Sequence, residues 1–299
     1  MRRVSRQGAR SDARGSVRWK SRILILAFLL ATAIIPSGAR ADDEDATVPA
    51  QQPNLVTQAS APLSNILQIR TQDSYVREFT GLHGQGNALT MAVTMPLPAY
   101  RLLPFPQLSL LTMPTAVTSP GGSMGLGDLR LLDIAVLEAG HGILWGIGPT
   151  LVFPTASQRA GGQGKWQLGP ATAVAFTPER WLIGLLAQNP ISFAGDRERN
   201  ETNALFLQPF VTYQLGRGWF VRSQPQMVFN WKTGNQVLPV DLGVGRVFEV
   251  GRQYVSSFVE PFWNASADGP TPVYGFTFGV SLLFPNFWQR SQIGTEPRR

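Results

Sequence analysis

The chain has 299 residues and no cysteine, which accommodates one large domain or two ordinary ones and excludes a disulfide scaffold or a thiolate metal centre. Its formal charge of +7 suggests a nucleic-acid partner only until it is apportioned: nine of the 26 Lys and Arg lie in residues 1–41 with one of the 19 acids, leaving 17 basic and 18 acidic residues. A chain that is near neutral beyond residue 41 lacks the basic footprint of nucleic-acid binding, so no nucleic-acid partner is expected.

Residues 1–41 read as a signal peptide. A basic stretch runs from Arg2 to Arg22, an apolar run from Ile23 to Ile35, and Ala39-Arg40-Ala41 precedes Asp42, with cleavage expected after Ala41. The apolar run is shorter than the roughly 18 to 20 residues of a spanning helix. Residues 42–62 are rich in Pro, Gln, Ala and acids without a sustained apolar period, which predicts a disordered periplasmic tail.

Strand-like composition then fills residues 63–285, with a C-terminal tail over 286–299. Twelve segments are expected: Asn65 to Gln72, Ala88 to Leu97, Gln107 to Val117, Leu126 to Leu137, Gly142 to Phe153, Trp166 to Thr177, Trp181 to Phe193, Asn203 to Leu215, Trp219 to Trp231, Val237 to Val250, Tyr254 to Asn264 and Val273 to Phe284. Most match the roughly 9 to 11 residues of a tilted bilayer-spanning strand rather than the 5 or 6 usual in soluble sheets.

Period 2 separates the two faces of these segments. In the last, Tyr274, Phe276, Phe278, Val280, Leu282 and Phe284 oppose Gly275, Thr277, Gly279 and Ser281. The ninth sets Trp219, Val221, Met227, Phe229 and Trp231 against Arg222, Gln224, Gln226, Asn230 and Lys232, with tryptophan at both ends as interfacial girdles require. A soluble sandwich alternates too, but its outer face is rich in Lys and Glu. Here the non-apolar faces hold Gly, Ala, Ser, Thr, Gln and Asn, and only 15% of the chain is charged against about 25% in soluble domains. Connections alternate between long polar stretches (Pro154 to Lys165, Ala194 to Thr202) and tight ones (Pro178 to Arg180, Gly216 to Gly218), the pattern of long outer loops and short periplasmic turns. The fold expected is therefore all-β: a transmembrane, antiparallel, up-and-down β-barrel of 12 strands in the bacterial outer membrane, both termini on the periplasmic side. Pro149, Pro170, Pro209, Pro225, Pro239 and Pro261 each remove a ladder donor, so bulges or kinks are expected at some of them.

Gly125-Leu126-Gly127-Asp128, Trp145-Gly146-Ile147-Gly148-Pro149, Phe153-Pro154-Thr155, Gly164-Lys165-Trp166, Gly169-Pro170, Ser192-Phe193-Ala194-Gly195, Phe206-Leu207-Gln208-Pro209-Phe210 and Leu282-Leu283-Phe284-Pro285 follow one another in an order and spacing that resembles a known family. It is the outer-membrane transporters named after the meta-cleavage pathway of phenol degradation, many of which carry the mistaken label neuromedin U. The resemblance spans Gly125 to Pro285 and implies a barrel that passes small organic molecules; it supplies no established substrate or catalytic residues. Thr277 to Phe284 also resembles the C-terminal signal read by the barrel-assembly machinery, which makes that machinery a partner during biogenesis.

Chemistry beyond a barrel finds little support. A serine hydrolase needs a base, and the chain offers only His83 and His141, both in connections; they are also too few for a His-based metal site. No catalytic, metal or cofactor-binding residues are expected, and no cofactor. In Arg159 to Trp166 the first glycine of a phosphate loop is replaced by Arg159 and its Ser or Thr by Trp166, so the stretch reads as an extracellular turn. Asp196-Arg197-Glu198-Arg199 reads as a loop tip facing lipopolysaccharide, which with outer-membrane lipid completes the expected surroundings.

Inward charges carry more information, because a charge facing lipid is costly. Parity places Asp128, Arg130, Arg222, Lys232, Asp241 and Glu260 inside, with Gln208, Gln224 and Gln226 beside them. They form either a structural ion-pair network or a constriction selecting solutes. Phe206, Phe210, Tyr254, Phe258 and Phe262 form either an apolar slot for aromatic or aliphatic compounds or simple filling. The small inner residues of the last strand predict a smooth wall there, with selectivity on the ninth to eleventh strands. Three functions remain open: a channel for a small-molecule solute, a non-conducting structural or binding barrel, and an outer-membrane lipid hydrolase.

Overall fold

A computed structural model of the chain describes residues 52–61, 64–100, 104–138 and 142–285. The leader read over 1–41, residues 42–51, His141 and the tail over 286–299 lie outside them.

Among the described residues one helix, α1 (Gln52–Ser60), precedes sixteen strand segments. These are β1 (Leu67–Phe79), β2 (Gly86–Leu97), β3 (Gln107–Thr118), β4 (Met124–Gly125), β5 (Leu129–Glu138), β6 (Ile143–Phe153), β7 (Lys165–Phe176), β8 (Trp181–Gln188), β9 (Ile191–Gly195), β10 (Ala204–Gly216), β11 (Trp219–Ser223), β12 (Met227–Asn230), β13 (Gln236–Asp241), β14 (Gly243–Val250), β15 (Gln253–Ala267) and β16 (Pro272–Phe284). Short breaks divide four long strands, so that β4 with β5, β8 with β9, β11 with β12 and β13 with β14 each make one stave. Each stave pairs antiparallel with the next, and β1 pairs with β16 from Leu67 and Phe284 to Phe79 and Pro272. The result is a closed, twelve-stranded, up-and-down barrel without a free edge.

One end of the barrel carries the start of β1 and the end of β16, and is called here the terminal end; the other is the loop end. At the terminal end Gly216 and Gly218, both at positive φ, flank Arg217 in the turn from β10 to β11. A Cβ on Gly218 would lie 2.1 Å from the Val247 carbonyl oxygen, so only glycine fits.

The outer face follows the predicted alternation. Tyr274, Phe276 and Leu282 of β16 are exposed, as are Ile147, Leu168, Ile183 and Val244 on other staves. Trp145, Trp181 and Trp219 are exposed near the terminal end, and Trp166, Trp231 and Trp263 toward the loop end, giving two girdles. Two polar pairs interrupt this face: Asn87 donates to Asp73 at 2.7 Å, and Ser109 donates to Asp133 at 2.6 Å.

Prolines break the ladder where expected at Pro225, which lies in the gap between β11 and β12, and at Pro239, where the register with β15 shifts. Pro209 and Pro261 sit in register opposite Leu185 and Phe276. Pro149 and Pro170 face each other across β6 and β7, so neither asks the other for an N–H.

Two expectations need correction. Residues 52–61 do not belong to a disordered tail: α1 lies inside the barrel, burying Leu55, Val56 and Ala59 against the inward Ile66, Phe220, Val247, Phe258 and Leu283. Nor is the wall at β16 smooth. A Cβ on Gly279 would come within 2.2 Å of the Phe258 ring, and one on Gly275 within 2.7 Å of the Phe262 ring. Rings from β15 thus lie against glycines of β16, and Phe220 against Gly245 and Phe210 against Gly184 repeat the device.

Candidate functional site

The lumen differs between its two halves. Its terminal half is filled from α1 outward. A second apolar cluster, of Ala61, Leu132, Ile134, Ala171, Leu182, Leu186 and Phe210, continues the packing, and a cavity of about 280 Å³ remains beside Thr57, Gln58 and Trp145. The wall holds the helix by its carbonyls. Gln68 Nε2 donates to Ala59 O at 3.2 Å, Arg70 Nη2 donates to Ala59 O and Ala61 O at 3.3 and 3.4 Å, and Gln224 Nε2 donates to Ser60 O. Gln214 Nε2 also donates to Thr57 Oγ1. These donors answer the orphan carbonyls that any helix C-terminus presents.

Above the helix, in the loop half, lies a cavity of about 460 Å³. Arg70, Thr90, Ala92, Thr112 and Arg130 line one side, Gln188, Gln208, Gln224 and Gln226 the other, and residues 160–163 of the loop between β6 and β7 fold over it. Asp128 shapes that roof: its carboxylate accepts from Gln163 N at 2.6 Å and from Ala156 N at 3.2 Å. Its value is thus the ordering of a loop, a role that an inward charge on a strand diagram does not reveal.

Between the halves, Arg222 Nε and Glu260 Oε2 are 2.5 Å apart, both buried. The Arg222 guanidinium stacks 3.5 Å from the Phe258 ring centre, and its Nη1 has no hydrogen-bond partner among the described residues. Asp241 accepts from Gln224 N at 2.7 Å, bridging the break in the ninth stave. Gln208 Nε2 donates to Gln224 O at 3.3 Å across the same break. Arg130 lies over the Phe206 ring at 5.0 Å and is nonetheless exposed, because solvent reaches it inside the barrel.

Of the residues singled out by sequence, Asp128, Arg130, Gln208, Gln224 and Gln226 gather at the loop-half cavity, while Arg222, Asp241 and Glu260 lie just below. Lys232 belongs to neither group. It sits in the turn after β12, exposed, with Nζ 2.8 Å from Glu201. That contact holds the Glu201 carboxyl below the usual range, first through the hydrogen bond and then through the charge. The five aromatics do not form one slot: Phe206 lies under Arg130, Phe210 belongs to the second apolar cluster, Tyr254 and Phe258 pack toward α1, and Phe262 covers Gly275. Sequence reasoning passed over Gln68, Arg70 and Gln72, whose period-2 signal on β1 was available. His83 is exposed in the loop between β1 and β2.

These features define an outer-membrane-type β-barrel whose lumen is polar and accessible at the loop end and occupied at the other. No family model and no curated protein sequence matches the chain. Solved structures do resemble it. An outer membrane channel from Pseudomonas putida F1 superposes with a TM-score of 0.54 at 12% identity, over 75% of this chain and 97% of that one. The KdgM porin gives a TM-score of 0.44 at 9% identity, over 73% and 98%. Outer membrane phospholipase A from Escherichia coli gives 0.42 at 11% identity, over 78% and 99%. At such identities the likeness to the first is one of fold: that of bacterial outer-membrane barrels.

Proposed function

We propose that the chain is a channel for small organic solutes across the bacterial outer membrane, of the phenol-degradation meta-pathway transporter type. The observation that carries this reading is the 460 Å³ cavity inside a closed barrel, lined by amides, hydroxyls and a solvent-reached Arg130. Cavities of this size hold small molecules, and an inner wall made largely of neutral polar groups, with Arg70, Arg130 and Asp128 among them, lets a solute bind without being trapped. The terminal end then faces the periplasm, a signal peptide cleaved after Ala41 directs export, and the exposed tip at Asp196 to Arg199 meets lipopolysaccharide. Planar-bilayer recording tests the proposal: discrete openings are expected from the folded full-length mature chain. Silence at every voltage, from protein shown to be folded by heat-modifiable migration, refutes passage. It favours a second reading that α1 itself supports, a binding barrel permanently closed at one end.

A further inference from the structure

Arg70 and Arg130 are joined by a single row across the inner wall: Arg70 pairs with Ala92, Ala92 with Thr112, and Thr112 with Arg130. Three strand spacings of roughly 4.8 Å separate the two arginine backbone positions by about 14 Å along the wall. The two residues between them are small, so the row is a bay with a guanidinium at each side and a methyl and a hydroxyl as its floor. The bay opens into the 460 Å³ cavity, roofed by residues 160–163 and faced by Gln188 and Gln208.

The charge balance at this bay is positive. Among the described residues neither arginine has a carboxylate within 4.0 Å, whereas Arg222 is paired with Glu260. Asp128 is the one acid among the described residues that line the cavity, and both its oxygens accept loop N–H groups. Arg70 spends donors on Ser281 Oγ, Gln68 Oε1 and the carbonyls of Ala59 and Ala61, while Arg130 has no hydrogen bond among the described residues and rests on Phe206. A guanidinium held over an aromatic face with its N–H fork unengaged, in a cavity, is arranged to receive a planar acceptor.

We propose that this bay is a binding site for small organic carboxylates, with Arg130 as the carboxylate receptor, Arg70 as the second cation, and the facing glutamines as partners for hydroxyl or carbonyl groups of the solute. The proposal rests on the passage reading for its purpose, but its test does not. The full-length mature chain, refolded in detergent, is titrated calorimetrically with benzoate and with its neutral counterpart benzamide. Benzoate is expected to bind and benzamide to bind on the order of ten- to a hundredfold more weakly, as loss of a charge-assisted contact requires. Arg130→Gln abolishes the difference, and Arg130→Lys retains part of it. Ala92→Phe, which fills the floor while leaving both arginines, removes benzoate binding should Arg130→Gln fail to fold. Equal affinity for the two probes, or unchanged benzoate binding in Arg130→Gln and Ala92→Phe, overturns the site. Conduction without benzoate preference overturns the site alone; benzoate binding in a chain that never conducts upholds the site and refutes passage.

Discussion

If α1 closes the terminal half of the lumen, weakening its apolar face must open it. Leu55→Ala with Val56→Ala removes three and two methylene-sized groups from a cluster in which both side chains are almost fully buried. At about 0.8 kcal/mol per group the seated helix loses about 4 kcal/mol. That shifts the ratio of closed to open states by about a thousandfold. The hydrogen bonds from Gln68, Arg70, Gln214 and Gln224 are untouched, because they go to backbone atoms and Thr57 rather than to the altered side chains. Barrel registration is equally untouched, since α1 contributes no strand. Single-channel recording of the double variant beside the parent is the assay, with the ratio of open to closed dwell times as the readout, and a variant lacking residues 52–61 sets the fully open limit. Conductance and dwell times identical in all three proteins would refute the view that α1 stands in the path.

Other consequences are accessible to unfolding titrations in detergent. Glu260→Leu strands a buried guanidinium and is expected to cost about 3 to 5 kcal/mol, while Arg222→Met with Glu260→Leu restores stability to near that of the parent. Gly279→Val drives a side chain into the Phe258 ring, and loss of a folded, heat-modifiable band at ordinary refolding temperature is expected; Gly251→Val, where no atom lies within 4 Å of the added Cβ but φ is positive, should cost only about 1 to 2 kcal/mol. Ser109→Ala removes the partner of an outward carboxylate and should destabilise by about 1 to 3 kcal/mol, whereas Ser109→Ala with Asp133→Leu should not. The Glu201 carboxyl is depressed in the folded chain, so its tether to Lys232 is present above the ordinary glutamate pKa and is lost as pH falls through the lowered one. Protease cleavage after Arg197 or Arg199 should therefore quicken as the pH falls below the ordinary glutamate range in an acid-tolerant protease assay, and do so no further in Lys232→Gln.

The wall of this barrel was legible because a barrel imposes one rule on every stave. Tyr274 to Phe284 alternates cleanly, and its partner strands repeat the pattern with Ile147, Leu168 and Val244 outside. The rule fails where an outward residue is polar. On β1, Asp73 shares the outer face with Ile69 and Tyr75, which hides the inward set Gln68, Arg70 and Gln72 and with it one side of the bay. Lys232 failed for a different reason. Period 2 continues through Lys232 in the sequence, but Asn230 ends β12 by accepting from Lys232 N and Thr233 N at 2.9 and 3.2 Å, an Asx turn that Asn230-Trp231-Lys232-Thr233-Gly234 encodes.

The helix α1 was illegible for a deeper reason. Within 52–61 the buried apolar residues are Leu55, Val56, Ala59 and Ala61, small or few enough that no helical period stands out against the neighbouring Pro, Gln and Ser. Such a segment has too little propensity to form a helix in water, where short helices are marginal. Its partners supply what its own sequence lacks: a ring of inward apolar side chains on the last staves, and amide and guanidinium donors at its C-terminal carbonyls. The same partners also carry a trace of the helix in their own sequence. Twelve staves enclose more space than an eight-stranded barrel, which its own side chains fill. Yet β11, β14, β15 and β16 put Phe220, Val247, Phe258 and Leu283 inward at the terminal end, where a water-filled lumen calls for polar groups. Large inward hydrophobics on staves that elsewhere show glycine and serine therefore mark an occupant, and the nearest unassigned segment able to reach them is the one preceding β1.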